Sequence, residues 1–313
     1  IKIRTVKGVS REVNGQWNCW ADPDMKIAYV RLTGFMEDTA AELSDQLEAL
    51  HRDGMRGVIL DLRFNPGGLL KTAVEICDLL LPADRVIVST KGRASSPQEV
   101  SSSRRNGLMD VPMIVLVNDI SASASEIVSG AIQDHHRGLI VGERTFGKGL
   151  VQNLEALGGP SGASYIKLTT AKYYLPNGRC IQKEPGNAIW GVDPDVLVSL
   201  VPKEMRRVLE LRRKGDVLKG KNQQELSLDA LDFDDMEPDE EPNGAMEGAE
   251  AATSQPTTTQ AADAEDEDEK DENIHPEIDP QYEAALLVMR VRLLSNEPWP
   301  IESRPVTAKA AGR

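Results

Sequence analysis

The chain has 313 residues, a formal charge of −14 and three cysteines, enough length for one large or two modest domains and too few thiols for a disulfide framework or zinc ribbon. The charge is concentrated: about eighteen acidic residues between Asp229 and Glu272 face Lys270 alone, so the rest carries about +3 and offers no basic surface for nucleic acid. No apolar run reaches the ~20 residues of a membrane span, and no spacing of His, Cys and carboxylates suggests a metal.

Ile1 to Val6 read as an extended end of a preceding unit, and the absence of an initial methionine fits a trimmed or processed start. Lys26 to Leu32 then reads as the first core strand. Thr39-Ala-Ala-Glu42 has the form of a capping box opening a helix whose Leu43, Leu47 and Leu50 share a face, with Gly54 at its end. A strand over 57–63 delivers the loop Asn65-Pro-Gly-Gly68, and a helix over about 69–81 returns. Cys77 falls on its apolar face and is expected in the core. The strand 86–90, a polar loop over 91–106 and the strand 112–118 follow.

Next come the turn Ser121-Ala-Ser-Ala-Ser-Glu126, a helix running to His135 and a strand over 139–143. Alternating short apolar strands and helices predict an α/β fold with a largely parallel sheet, whose ligands sit where strands end and helices begin. Pro-Asn-Gly178 is a turn signal between extended stretches at 165–175 and 179–182, expected to form a β extension. Residues 203–220 read as a helix. Residues 221–273 have too little apolar surface to order themselves and are expected to form a disordered acidic linker. Asp279-Pro280 supplies an N-cap and a first-turn proline for a C-terminal helix bearing Tyr282, Leu286, Met289 and Leu293, expected to dock on the core.

The chemistry lies in Ser121 to Glu126 combined with Thr145-Phe-Gly-Lys-Gly149 and Gln152. Small residues allow a tight turn that presents one hydroxyl beside backbone amides, and glycines around Lys148 allow a second backbone to approach. Lysine acts as a base only when neutral, which requires an apolar setting to move it from about 10.4 toward about 7.

Three blocks together resemble the carboxyl-terminal processing proteases, tail-specific peptidases with a Ser/Lys dyad: Asp61-Leu-Arg-Phe-Asn-Pro-Gly-Gly68, Ser121 to Glu126, and Gly142 to Gln152. The resemblance runs from the N-terminus to about residue 202 and resumes near Asp279. It implies Ser123 as nucleophile, Lys148 as base, Gln152 as the amide supporting the lysine, and the backbone N–H groups of Gly68 and Ala124 as the oxyanion hole, with Gly67 the less favoured second donor. It further implies a crotonase-like core over 35–202, no cofactor, protein or peptide substrates with apolar C-termini, and an extracytoplasmic setting such as the periplasm. Residues 1–34 would hold the end of a truncated PDZ-like domain and the first strand of the core, and 274–313 the C-terminal helix and tail.

Three rival readings compete. Ser121 or Ser123 is an ordinary helix cap in isolation. Gly142 to Lys148 fits G-x-x-x-x-G-K of a nucleotide-binding P-loop, but Gly149 stands where Ser or Thr would hold Mg²⁺. A non-catalytic peptide- or ligand-binding module on the same fold is the third. His135 and His136, at a helix end beside Arg137, are expected to complement the helix dipole, and His51 and His275 belong to no motif.

Overall fold

A computed structural model describes residues 4–12, 14–93, 98–101, 111–157, 164–217 and 278–295. The expected acidic linker and terminal tail, and much of the polar loop over 91–106, lie outside the described residues. The strands are β1 (Val6–Lys7), β2 (Ser10–Arg11), β3 (Trp17–Asn18), β4 (Trp20–Asp22), β5 (Ile27–Leu32), β6 (Gly57–Asp61), β7 (Val86–Gly92), β8 (Gln98–Ser101), β9 (Met113–Val117), β10 (Leu139–Gly142), β11 (Leu150–Leu157), β12 (Ser164–Tyr174) and β13 (Val196–Leu197). The helices are α1 (Thr39–Arg52), α2 (Leu70–Leu80), α3 (Ala124–Asp134), α4 (Pro202–Asp216) and α5 (Pro280–Ser295).

The central sheet runs β1-β5-β6-β9-β10-β13, with β4 also on β5. From β5 to β13 every pairing is parallel, while β1 and β4 join antiparallel. Strands β5, β6, β9 and β10 are buried along their whole length, as parallel strands covered on both faces must be. One face packs Ala28, Val30, Leu60 and Val115 against α1, α2 and α3, including Leu43, Leu47, Leu50 and the fully buried Cys77. The other presents Ile27, Ile59, Ile114 and Val141 to Ala285, Leu286 and Met289 of α5. Gly57 allows this docking to be close, because a Cβ there would lie 2.6 Å from the Met289 sulfur.

A second sheet, β11-β12-β7-β8, forms the β extension. Its longest pairing is the antiparallel β11–β12 register from Leu150↔Lys172 to Leu157↔Ser164. The expected stretch 165–175 is strand β12 of this sheet, β11 is a strand beyond those expected, and the stretch 179–182 meets β12 across Pro-Asn-Gly178 through the isolated Tyr174↔Cys180 bridge. The Thr39 capping box is also corrected. Asp38 takes the N-cap position, and its side chain does not cap the helix. The Thr39 hydroxyl instead accepts from Met36 N at 3.0 Å and lies 2.6 Å from the Thr5 hydroxyl, while Glu42 accepts from Thr5 N. A long-range partner, Thr5 just before β1, outcompetes the local cap. Asp279, by contrast, caps α5 as expected, accepting from Tyr282 N at 3.1 Å.

Candidate active site

Strand β6 ends in the loop Leu62–Leu69, and β9 ends in the turn that starts α3, so both emerge side by side at the carboxyl edge of the parallel sheet. Three serines occupy the turn. The Ser121 hydroxyl donates to Leu62 O at 2.8 Å and accepts from Asn118 N, and the Ser125 hydroxyl donates to Asn65 O at 2.9 Å. Both are fully buried. Ser123 differs: it is half-buried, makes no side-chain cap bond, and has φ 54° and ψ −111°, a conformation that side chains rarely adopt. Its hydroxyl is therefore the one of the three with no hydrogen bond among the described residues, presented on a strained corner at a helix N-terminus.

The facing loop is built around Asn65. Its side-chain amide donates to Leu32 O at 2.9 Å, its side-chain oxygen accepts from Gly67 N at 2.9 Å, and its carbonyl accepts from Ala122 N at 3.1 Å. Gly67 packs so tightly that a Cβ would stand 2.6 Å from Ala122 O and 2.9 Å from Ala124 N. Its φ of +98° adds a second reason for glycine. Gly67 N–H is spent on Asn65. Gly68 N–H and Ala124 N–H have no hydrogen-bond partner among the described residues, and the Gly67 packing brings their two segments together.

Glu126 joins the turn to the lysine segment. Its Oε1 accepts from the Thr145 hydroxyl at 2.6 Å and Gly147 N at 2.7 Å, and its Oε2 accepts from both Ser123 N and Lys148 N at 2.8 Å. The backbone nitrogens of Ser123 and Lys148 thus share one oxygen and lie no more than twice that bond length apart. Burial pushes the Glu126 carboxyl above its ordinary range, opposed by the Thr145 hydroxyl and the three N–H groups. Lys148 itself is half-buried and makes no salt bridge or side-chain hydrogen bond among the described residues. Gln152 is exposed on β11, at the bulge between Val151 and Gln152, and no hydrogen bond joins it to Lys148.

Behind the loop, Asp61 is fully buried and accepts from Tyr29 Oη at 2.6 Å, Arg63 N at 2.8 Å, Arg63 Nη2 at 2.7 Å and Arg212 Nη2. Burial alone would raise this carboxyl, yet the Arg212 and Arg63 guanidinium groups hold it well below the usual carboxylate range. Arg63 in turn grips Asp279 at the head of α5 through two bonds of 2.8 Å.

The P-loop reading fails on this geometry. The residues after Lys148 enter strand β11 instead of a helix, and the N–H groups of Gly147 and Lys148 that would cradle phosphate are filled by Glu126. His135 caps the end of α3 with its ring 2.6 Å from Val86 O, away from the serine turn at the opposite end of that helix. Sequence reasoning gave Glu126 and Asp61 no role. The signal was present in each as a carboxylate set into an apolar run, Glu126 before Ile127 and Val128 and Asp61 after Val58, Ile59 and Leu60.

The sequence pattern of Peptidase family S41 matches residues 26–198, more than half of the chain, and the chain belongs to that family. Among curated relatives, the carboxy-terminal-processing protease of Bartonella bacilliformis is 41% identical over 201 residues, covering 63% of this chain and 42% of that protein. The carboxyl-terminal-processing protease of a Synechocystis species is 42% identical over 176 residues, covering 56% and 39%. This chain thus spans less than half the length of the relatives it matches. The solved structure titled photosystem II D1 C-terminal processing protease aligns with a TM-score of 0.49 at 30% identity, covering 63% of this chain and 49% of that one.

Proposed function

We propose that this chain carries the catalytic segment of a serine endopeptidase that cuts protein substrates near their C-termini through a Ser123/Lys148 dyad. The observation that carries the reading is the sorting of the three serines: two are consumed by buried bonds, and one stands strained beside two N–H groups, all three without a hydrogen-bond partner among the described residues. In this mechanism Ser123 Oγ attacks the substrate carbonyl while Lys148 Nζ takes its proton. The carbonyl oxygen gains negative charge between Gly68 N–H and Ala124 N–H. Lys148 returns a proton to the departing amine, and water then hydrolyses the acyl-enzyme by the same route in reverse. Gln152 is assigned to orienting the lysine by rotation of its exposed side chain.

The matched family and the names of its curated members support this substrate class. The same resemblance supports a crotonase-like core over 35–202, apolar substrate C-termini and an extracytoplasmic setting. Among the described residues no helix is long and apolar enough to cross a membrane. Incubation with an unstructured protein that has an apolar C-terminus tests the reading. Fragments ending near that C-terminus are expected from the wild type and none from Ser123→Ala; equal cleavage by that variant, or none by the wild type, contradicts it.

A further inference from the structure

Helix α4 lies beyond the span matched to the family, yet one of its side chains reaches the root of the oxyanion loop. Arg212 Nη1 donates to Arg63 O at 3.0 Å, and Nη2 donates to the Asp61 carboxylate. Its guanidinium also lies over the Phe64 ring, 4.6 Å from the centroid. One planar group therefore fixes a carbonyl, a carboxylate and an aromatic face belonging to residues 61, 63 and 64.

The gripped residues are those that aim the loop. Phe64 has φ 60°, a left-handed conformation unusual for a bulky residue, and its N–H is held by Asn118 Oδ1 at 2.8 Å. Directly after it, Asn65 bonds to β5, to Gly67 and to the nucleophile turn. An error in the Arg63–Phe64 backbone is thus passed to Gly68 within four residues. Anchoring of α4 does not depend on Arg212 alone: Val208 is buried, and Asp216 pairs with Lys7 and Arg31.

We propose that Arg212 is a positioning residue for the reaction, holding the strained Arg63–Phe64 backbone so that Gly68 N–H meets the developing oxyanion. The proposal rests on the peptidase reading above. The Arg212 guanidinium is engaged by Asp61, Arg63 O and the Phe64 ring, so its removal is expected to act on the transition state and to leave peptide binding nearly intact.

The test uses the 313-residue chain as wild type, Arg212→Ala and Arg212→Lys. It measures kcat and KM on a fluorogenic peptide, the inhibition constant of a peptidyl boronic acid that adds to the serine, and thermal unfolding. Arg212→Ala is expected to lose about tenfold or more in kcat with KM within about twofold, and its boronate affinity should fall in parallel. Arg212→Lys, which keeps a cation beside Asp61 but not the fork and flat face, is expected to fall between. Wild-type kcat and boronate affinity in folded Arg212→Ala overturn the proposal, whatever the melting temperature. Should Arg212→Ala not fold, Arg212→Lys decides by the same readout, and wild-type kcat in it overturns the proposal. A wild type that neither cleaves nor takes up the boronate instead shows that the peptidase reading is wrong, and this inference falls with it.

Discussion

Replacing Glu126 with glutamine changes one atom in the hub between the serine and the lysine. The carboxylate accepts four hydrogen bonds, two on each oxygen, and the side chain is completely buried. An amide accepts on one side only. Turned toward Ser123 and Lys148, its NH₂ leaves two backbone N–H groups facing a donor; turned the other way, it leaves Gly147 N–H unpaired while the Thr145 hydroxyl can rotate. Each buried donor left without a partner costs about 1–3 kcal/mol, so the variant is expected to lose about 2 kcal/mol, after partial relief from no longer burying a charge. Glu126→Ala orphans all four donors and is expected to cost more. Urea unfolding followed by tryptophan fluorescence measures both. Because Ser123 N and Lys148 N hang on the same oxygen, Glu126→Gln is also expected to lower kcat by about tenfold to a hundredfold through displacement of either group. A variant within about 0.5 kcal/mol of wild type and with unchanged kcat would refute the hub.

Ser121→Ala and Ser125→Ala are each expected to cost about 1–2 kcal/mol while retaining peptide cleavage, because their hydroxyls bond Leu62 O and Asn65 O; loss of cleavage in either folded variant contradicts this. Gly67→Ala is expected to abolish cleavage and lower the melting temperature, since its Cβ meets Ala122 O at 2.6 Å and its φ is +98°; a wild-type melt would refute the close approach. Asp61 is held low in the folded state, so the unfolded chain binds more protons below its ordinary value of about 4. Its stabilisation is present above that pH and is lost as pH falls toward the lowered value. Acid titration of stability should accordingly show a shallower decline in Asp61→Asn. Glu126 has the opposite sign: its raised carboxyl should make stability fall as pH climbs above about 4.3, a slope that Glu126→Gln removes.

Much of the site was legible because its requirements are local. The small residues from Ser121 to Ser125, the paired glycines at 67 and 68 and the glycines flanking Lys148 each mark a place where backbone must come close, and the Gly67 packing against Ala122 and Ala124 gives the distance. The parallel strands were legible for the same kind of reason, as short continuous apolar runs punctuated by turns. What the sequence did not disclose depends on partners far along the chain. Thr39 abandons its local cap for Thr5, thirty-four residues away, and Arg212 meets Asp61 across 151 residues. Strand β11 was missed because Leu150–Leu157 is only partly apolar and owes its extended form to pairing with β12. The spacing of Gln152 from Lys148 suggests a hydrogen-bonded pair, and the extended strand that separates them, with the Gln152 side chain exposed, is why that bond has to be made by side-chain rotation.

The central claim, that Ser123 is a nucleophile activated by Lys148, is tested most directly by mapping a fluorophosphonate on the intact chain. The account predicts a single phosphonylated residue, Ser123, in the wild type, and labelling slowed by at least about a hundredfold in Lys148→Arg, because arginine stays protonated and cannot take the serine proton. Label on Ser121 or Ser125, or undiminished labelling of Ser123 in folded Lys148→Arg, would contradict it.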